Sequence, residues 1–192
     1  MNMKRPSGEA RFIHSLRHPR IKGFSWVSPQ DELDNRIYRE VLEDGCSILS
    51  FTGDSTSPEF TYSAGLYLNF EHPEVLLMGL HPQTARAIVM KIRDDAIKGV
   101  ILTSQSVRHD LFSDGRPVRF RAVEQDCYLD YLGRNCNLYF SLFMASAVGD
   151  FGFPVLQAIW PDKQGFFPDD PRCDERFVAI HELVEEPFVD EP

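Results

Sequence analysis

Apolar residues recur along this chain with two alternating periods. Between Ser28 and Gly45, the residues Leu33, Ile37 and Val41 return every four positions, which marks one face of a helix. Ser28 is placed to cap it, Pro29 suits its first turn, and Asp31 favours the positive end of its dipole. Gly45 supplies a left-handed stop. The pattern predicts a helix over 29–44.

Strand-like runs follow. Segments 46–52, 60–67 and 74–80 are short and rich in apolar or β-branched residues, and Gly53, Asp54 and Ser57-Pro58 read as a turn. The third run is nearly all apolar, which suits a central strand covered on both faces. Their connections are too short for a parallel crossover, so antiparallel pairing is expected.

The helical period then returns over 82–98, where Ala85, Ile88, Val89, Ile92 and Ala96 form the stripe to be buried. Segment 100–107 reads as a strand or an extended connection. Segment 117–123 alternates apolar and basic residues, as a strand with one exposed face would. Residues 125–148 read as a buried, aromatic-rich helix interrupted near Gly133, and 154–160 as a last strand before the turn Pro161 to Gly165. Together these predict an α+β fold. A mostly antiparallel sheet, open or curled into a partial barrel, is packed by helices at 29–44, 82–98 and 126–148.

Length and composition fit one such domain. The chain has 192 residues, 43% hydrophobic and 12% aromatic, enough for a core without metal or disulfide. The ends differ in charge. Lys4, Arg5, Arg11, Arg17, Arg20 and Lys22 oppose only Glu9, whereas the C-terminal stretch is acidic. This divides the chain into a basic extension over 1–25, an α+β domain over 26–175, and an acidic tail over 176–192. Such ends are either solvated or engage a partner.

The net charge of −9 argues against nucleic-acid binding, which depends on cations that displace counterions from phosphates. It equally disfavours an anionic membrane surface and is compatible with a basic protein partner. No apolar run reaches transmembrane length, and no secretory signal is visible. Cys46, Cys127, Cys136 and Cys173 lack zinc or redox spacing, so reduced thiols in a cytoplasmic protein are expected.

Two stretches carry a family likeness. The first is Phe60-Thr61-Tyr62-Ser63-Ala64-Gly65-Leu66 followed by His72-Pro73-Glu74. The second is Gln157-Ala158-Ile159-Trp160-Pro161-Asp162, then Gly165 and Phe167-Pro168. In this order and at this separation they resemble a bacterial family catalogued as domain of unknown function 4262, over roughly 35–175. Asp169 stands where that resemblance leads one to expect an aromatic residue. The likeness implies a fold and the location of a site, and no activity.

The site expected from these stretches is one pocket that both of them wall. Tyr62, Ser63, His72 and Glu74 form its polar side, with His72 as a general base or metal ligand oriented by Glu74. Trp160 and Phe167 are its apolar plates, and Gln157 and Asp162 its polar anchors. The structural alternative is that Tyr62 and Ser63 alternate across a strand, that His72 and Glu74 satisfy loop backbone, and that Asp162 stabilises a turn.

Metal binding is not expected, because His72, Glu74, His81, His109 and Asp162 lack a ligand spacing. Ser63 lacks the elbow of an exposed nucleophile. Neither a dinucleotide motif nor a P-loop is present. No cofactor is required by the sequence, although a flavin needs no glycine motif. The order strand, strand, strand, helix is loosely similar to flavin-reductase-like split barrels. The expected function is therefore a partner-binding protein of inhibitor or immunity type; the alternative is a small-ligand or flavin-binding enzyme with its pocket between the 60–74 and 157–168 stretches.

Overall fold

A computed structural model of the chain describes residues 21–53 and 58–182. The basic residues Lys4 to Arg20 and the acidic residues beyond Glu182 lie outside the described residues. Lys22, Ile21, Phe24 and Trp26 lie within them, and the three apolar residues pack on the core.

Helix α1 (Glu32–Asp44) buries Ile37 and Val41 as its period requires, and Gly45 ends it at φ 90°. Its cap is Asp31 and not Ser28. The Asp31 carboxylate accepts the Asp34 N–H at 2.9 Å and pairs with Arg134 at 2.8 Å. A hydroxyl at position 28 offers no such ion pair, so the helix starts later and Pro29 stays outside it.

Strands β1 (Ser47–Phe51), β2 (Phe60–Ala64) and β3 (Glu74–Met78) pair antiparallel in chain order, as their short connections dictate. Strand β2 ends before the apolar run does. Gly65 takes φ 106° and opens the short helix α2 (Leu66–Phe70). A Cβ at Gly65 would lie 2.7 Å from Val41, so close packing and backbone sign both demand glycine.

Helix α3 (Pro82–Ile97) buries the whole expected stripe. The chain then runs through β4 (Val107–Arg108) and β5 (Val118–Ala122). Next come a 3-10 turn (Gln125–Cys127), α4 (Tyr128–Leu138) and α5 (Phe140–Ala145). The aromatic-rich helix thus breaks twice, at Leu132 with φ −125° and again at Tyr139. Segment 100–107 contributes only its last residue to a strand.

Strand β6 (Val155–Ile159) inserts between β3 and β5, giving the order β1-β2-β3-β6-β5-β4. It runs parallel to β3 and antiparallel to β5. The sheet is open, with β1 and β4 at its edges, and is not closed into a barrel. Helices α1, α4 and α5 cover one face, where Leu49, Tyr62, Leu76 and Val155 are buried. Helix α3 covers the other, over Val75, Leu77, Val118, Phe120 and Trp160. Residues 176–181, placed by sequence at the start of an acidic tail, belong to helix α6 (Glu175–His181). All four cysteines are buried.

Candidate functional site

The first motif stretch folds into the core. Glu74 begins β3 and is fully buried. Its Oε2 accepts Ser63 Oγ at 2.5 Å, and its Oε1 accepts Gly65 N at 2.7 Å, Tyr67 N at 3.2 Å and Tyr139 Oη at 2.5 Å. The two hydroxyls have their lone pairs engaged elsewhere, since Ser63 Oγ accepts Val75 N and Tyr139 Oη accepts Leu68 N. Their protons therefore point at the carboxylate. Burial pushes the Glu74 carboxyl up, against the pull of these donors. The arrangement anchors the entry to α2 and leaves no acceptor free for chemistry.

His72 is also fully buried, but it does not meet Glu74. Its Nδ1 lies 2.6 Å from the Pro73 carbonyl, and its Nε2 has no partner among the described residues. Burial lowers its pKa. Tyr62 is 1% exposed and stacks with Phe51 at 5.8 Å, as a core residue does. No group of His, Cys, Asp and Glu side chains able to hold a metal occurs among the described residues.

The second stretch lies elsewhere. Because β3 and β6 are parallel and Glu74 pairs with Val155, the His72–Glu74 end lies beside the start of β6. Trp160 follows the end of β6, about 16 Å further at roughly 3.3 Å per residue. The structure brings Ser63 to Glu74, and it brings Gln157, Trp160, Asp162 and Phe167 into one neighbourhood with α6. It does not bring Tyr62 or His72 to Trp160 or Asp162. Tyr62 and Gln157 share a sheet row, with Leu76 between them.

Gln157 is buried and works in both directions. Its Oε1 accepts Arg121 Nε at 2.8 Å, and its Nε2 donates to the His181 carbonyl at 3.0 Å. Arg121 Nη2 donates to the same carbonyl. Trp160 packs edge-on against His181 at 4.5 Å and Phe112 at 5.6 Å. Asp162 accepts Gln164 N and Phe166 N at 2.9 Å and Asp174 N at 3.1 Å. Burial opposes its ionisation, but these backbone donors outweigh burial and hold its pKa low. Asp162 is thus the knot that ties the turn after β6 to the start of α6.

Beside this knot lies a cavity of about 390 Å³. Strand alternation builds one wall. Val118 and Phe120 point into the core, so Arg119 and Arg121 face the other way, next to their cross-strand partners Ile159 and Gln157. Phe167 closes a second side, with the Arg119 guanidinium 3.8 Å above its ring. Val178 and His181 of α6 form the third. Arg119 lies 3.6 Å from Asp169, the residue in place of the expected aromatic, and both are largely exposed. Arg121 has no carboxylate partner among the described residues.

His181 is 1% exposed, and its Nδ1 lies 3.1 Å from the Phe177 carbonyl. A carbonyl only accepts, so Nδ1 carries the proton and a neutral ring leaves Nε2 a bare acceptor. That Nε2 has no partner among the described residues. Burial lowers the pKa of both His181 and Arg121. Of the cavity residues named here, sequence reasoning reached Phe167 and missed Arg119, Arg121, Ile159, Val178 and His181. The alternating basic run over 117–123 was the available signal. A second, smaller cavity of about 240 Å³ lies on the other flank of α6, lined by Lys163, Gln164, Arg176 and Ile180 among others.

Neither the comparison with curated proteins nor that with solved structures finds a match. A family model does: DUF4262, described as a domain of unknown function, matches residues 40–174. The match runs from within α1 to the Asp174 cap of α6, so it holds all six strands and both motif stretches. On that coverage, the chain belongs to the DUF4262 family.

Proposed function

We propose that this chain is a small-molecule-binding protein whose site is the cavity between β5, the end of β6 and α6. One observation carries the reading. The apolar walls Ile159, Phe167 and Val178 converge with two arginines and with the ring of His181. Binding sites combine these features: apolar surface for affinity and a few polar groups for orientation.

Binding is favoured over catalysis by where the reactive groups sit. Ser63, Glu74 and Tyr139 saturate one another in the core, away from both cavities. The reading as an inhibitor or immunity-type protein with a basic partner rests on the charged ends, which lie mostly outside the described residues.

The test is a fragment screen by thermal shift, repeated on Val178→Trp, which fills the cavity from α6. A ligand at a hundredfold excess over its Kd adds about 2.7 kcal/mol. For a domain of this size that raises Tm by roughly 5–10 °C. Hits are expected on the native protein and should vanish in the variant. A screen without hits, or hits indifferent to Val178→Trp, overturns the proposal.

A further inference from the structure

We infer that the ligand of this cavity is an organic anion, a carboxylate or phosphate on an apolar body, with Arg121 receiving the charged group. This rests on the cavity being a ligand site.

The charge arrangement around Arg121 motivates it. Arg108, Arg116, Arg134 and Arg172 each lie against a carboxylate. Arg121 does not: its two hydrogen bonds go to the Gln157 amide oxygen and the His181 carbonyl, both neutral. A guanidinium has five N–H donors in a planar fork, so most of its capacity remains. The two neutral acceptors hold the fork in place at the cavity wall at no cost in mobility on binding. Glu182, which also lines the cavity, acts on Arg121 through space without a hydrogen bond, so three of the five N–H donors stay open to a ligand. Arg119, two residues along on the same face, adds a second cation, weakly tied to Asp169 at 3.6 Å.

Asp169 and Glu182 line the cavity as well, so what marks the wall is the open fork of Arg121 and not an excess of positive charge. Arg–carboxylate and Arg–phosphate pairs are geometrically matched and charge-assisted, so an anion is the group this wall recognises best. The apolar body is required by the other walls. Ile159 and Phe167 offer no hydrogen bonds beyond their backbone, and Val178 none at all from its side chain.

One chemistry has two sources. A free organic acid could occupy the site, or the chain's own carboxylates at Glu185, Glu186, Asp190 and Glu191 could compete for it. The experiment therefore uses two full-length proteins, the native chain and one carrying Glu185→Gln, Glu186→Gln, Asp190→Asn and Glu191→Gln. Both are titrated calorimetrically with 1-naphthoate, phenyl phosphate and the uncharged 1-naphthamide.

At least one of the two anions should bind more than tenfold tighter than the amide. A charge-assisted bond is worth about 1.5–3 kcal/mol. Arg121→Gln should thus cost the anion roughly 10- to 150-fold more than it costs the amide. Tighter anion binding to the tail-neutralised protein also supports the inference and identifies the tail as the competitor. Binding of 1-naphthamide as tight as that of both anions overturns the anion assignment while the cavity stands. No binding of any probe to either protein overturns both. The comparison of anion with amide on the native chain needs no variant, so it holds even where Arg121→Gln fails to fold.

Discussion

At the scale of single residues, the most constrained group is the buried carboxyl of Glu74. Its four donors come from two backbone N–H groups and two hydroxyls, each hydroxyl already locked by another N–H. Glu74→Gln keeps the shape but turns an amide N–H toward Ser63 Oγ, whose proton then has no acceptor. The expected cost is about 1–3 kcal/mol by urea denaturation. Glu74→Leu strands all four donors and should cost more.

The pH dependence of this difference has a fixed sign. Burial raises the Glu74 pKa in the folded state, so the native protein holds this proton more tightly than the unfolded chain does. The contribution of Glu74 is therefore full below the ordinary carboxyl range and is lost as pH rises through the folded pKa. The stability gap between the native protein and Glu74→Gln should narrow from about pH 4 upward, read from urea midpoints at each pH. A gap that widens over that range refutes the burial argument.

At the scale of elements, α6 is the part most dependent on contacts distant in sequence. It is seven residues long, too short to be stable alone. Asp162 holds its start, Gln157 and Arg121 hold its last carbonyl, and Ile180 packs over Gly79. A Cβ at Gly79 would fall 2.2 Å from Ile180 Cγ2, and φ there is 68°. Gly79→Ala therefore strains the backbone and pushes α6 away. A loss of at least about 1 kcal/mol is expected, with amide exchange accelerating in α6 before the β-strands. Asp162→Ala should loosen the same helix, because it removes the acceptor for three N–H groups. Unchanged α6 protection in both variants contradicts this account of how the cavity wall is held. Since α6 supplies Val178 and His181, ligand binding should weaken in step.

At the scale of the whole molecule, local pattern and topology contribute differently. The stripe of α3 was legible because five apolar positions at helical spacing leave one solution, and the structure buries all five. Strands β1 to β3 were legible because short connections admit only antiparallel neighbours. The end of β2 was misread because Gly65 sits inside an apolar run, and its left-handed turn depends on Val41 pressing from another element. The first helix begins at Asp31 because Arg134, a hundred residues away, joins that cap.

The same distinction governs the site. The chain by itself determined its α+β character, its central apolar strand and its family likeness, because each follows from side chains near one another along the backbone. Only the tertiary structure decided that β6 enters beside β3 in parallel, which sends the His72–Glu74 loop and the Trp160–Asp162 turn to opposite ends of the sheet. It also decided that Arg121, Phe167 and His181 share a cavity. Those three lie on separate elements, and strand order is set by how whole faces pack, which local periodicity does not encode.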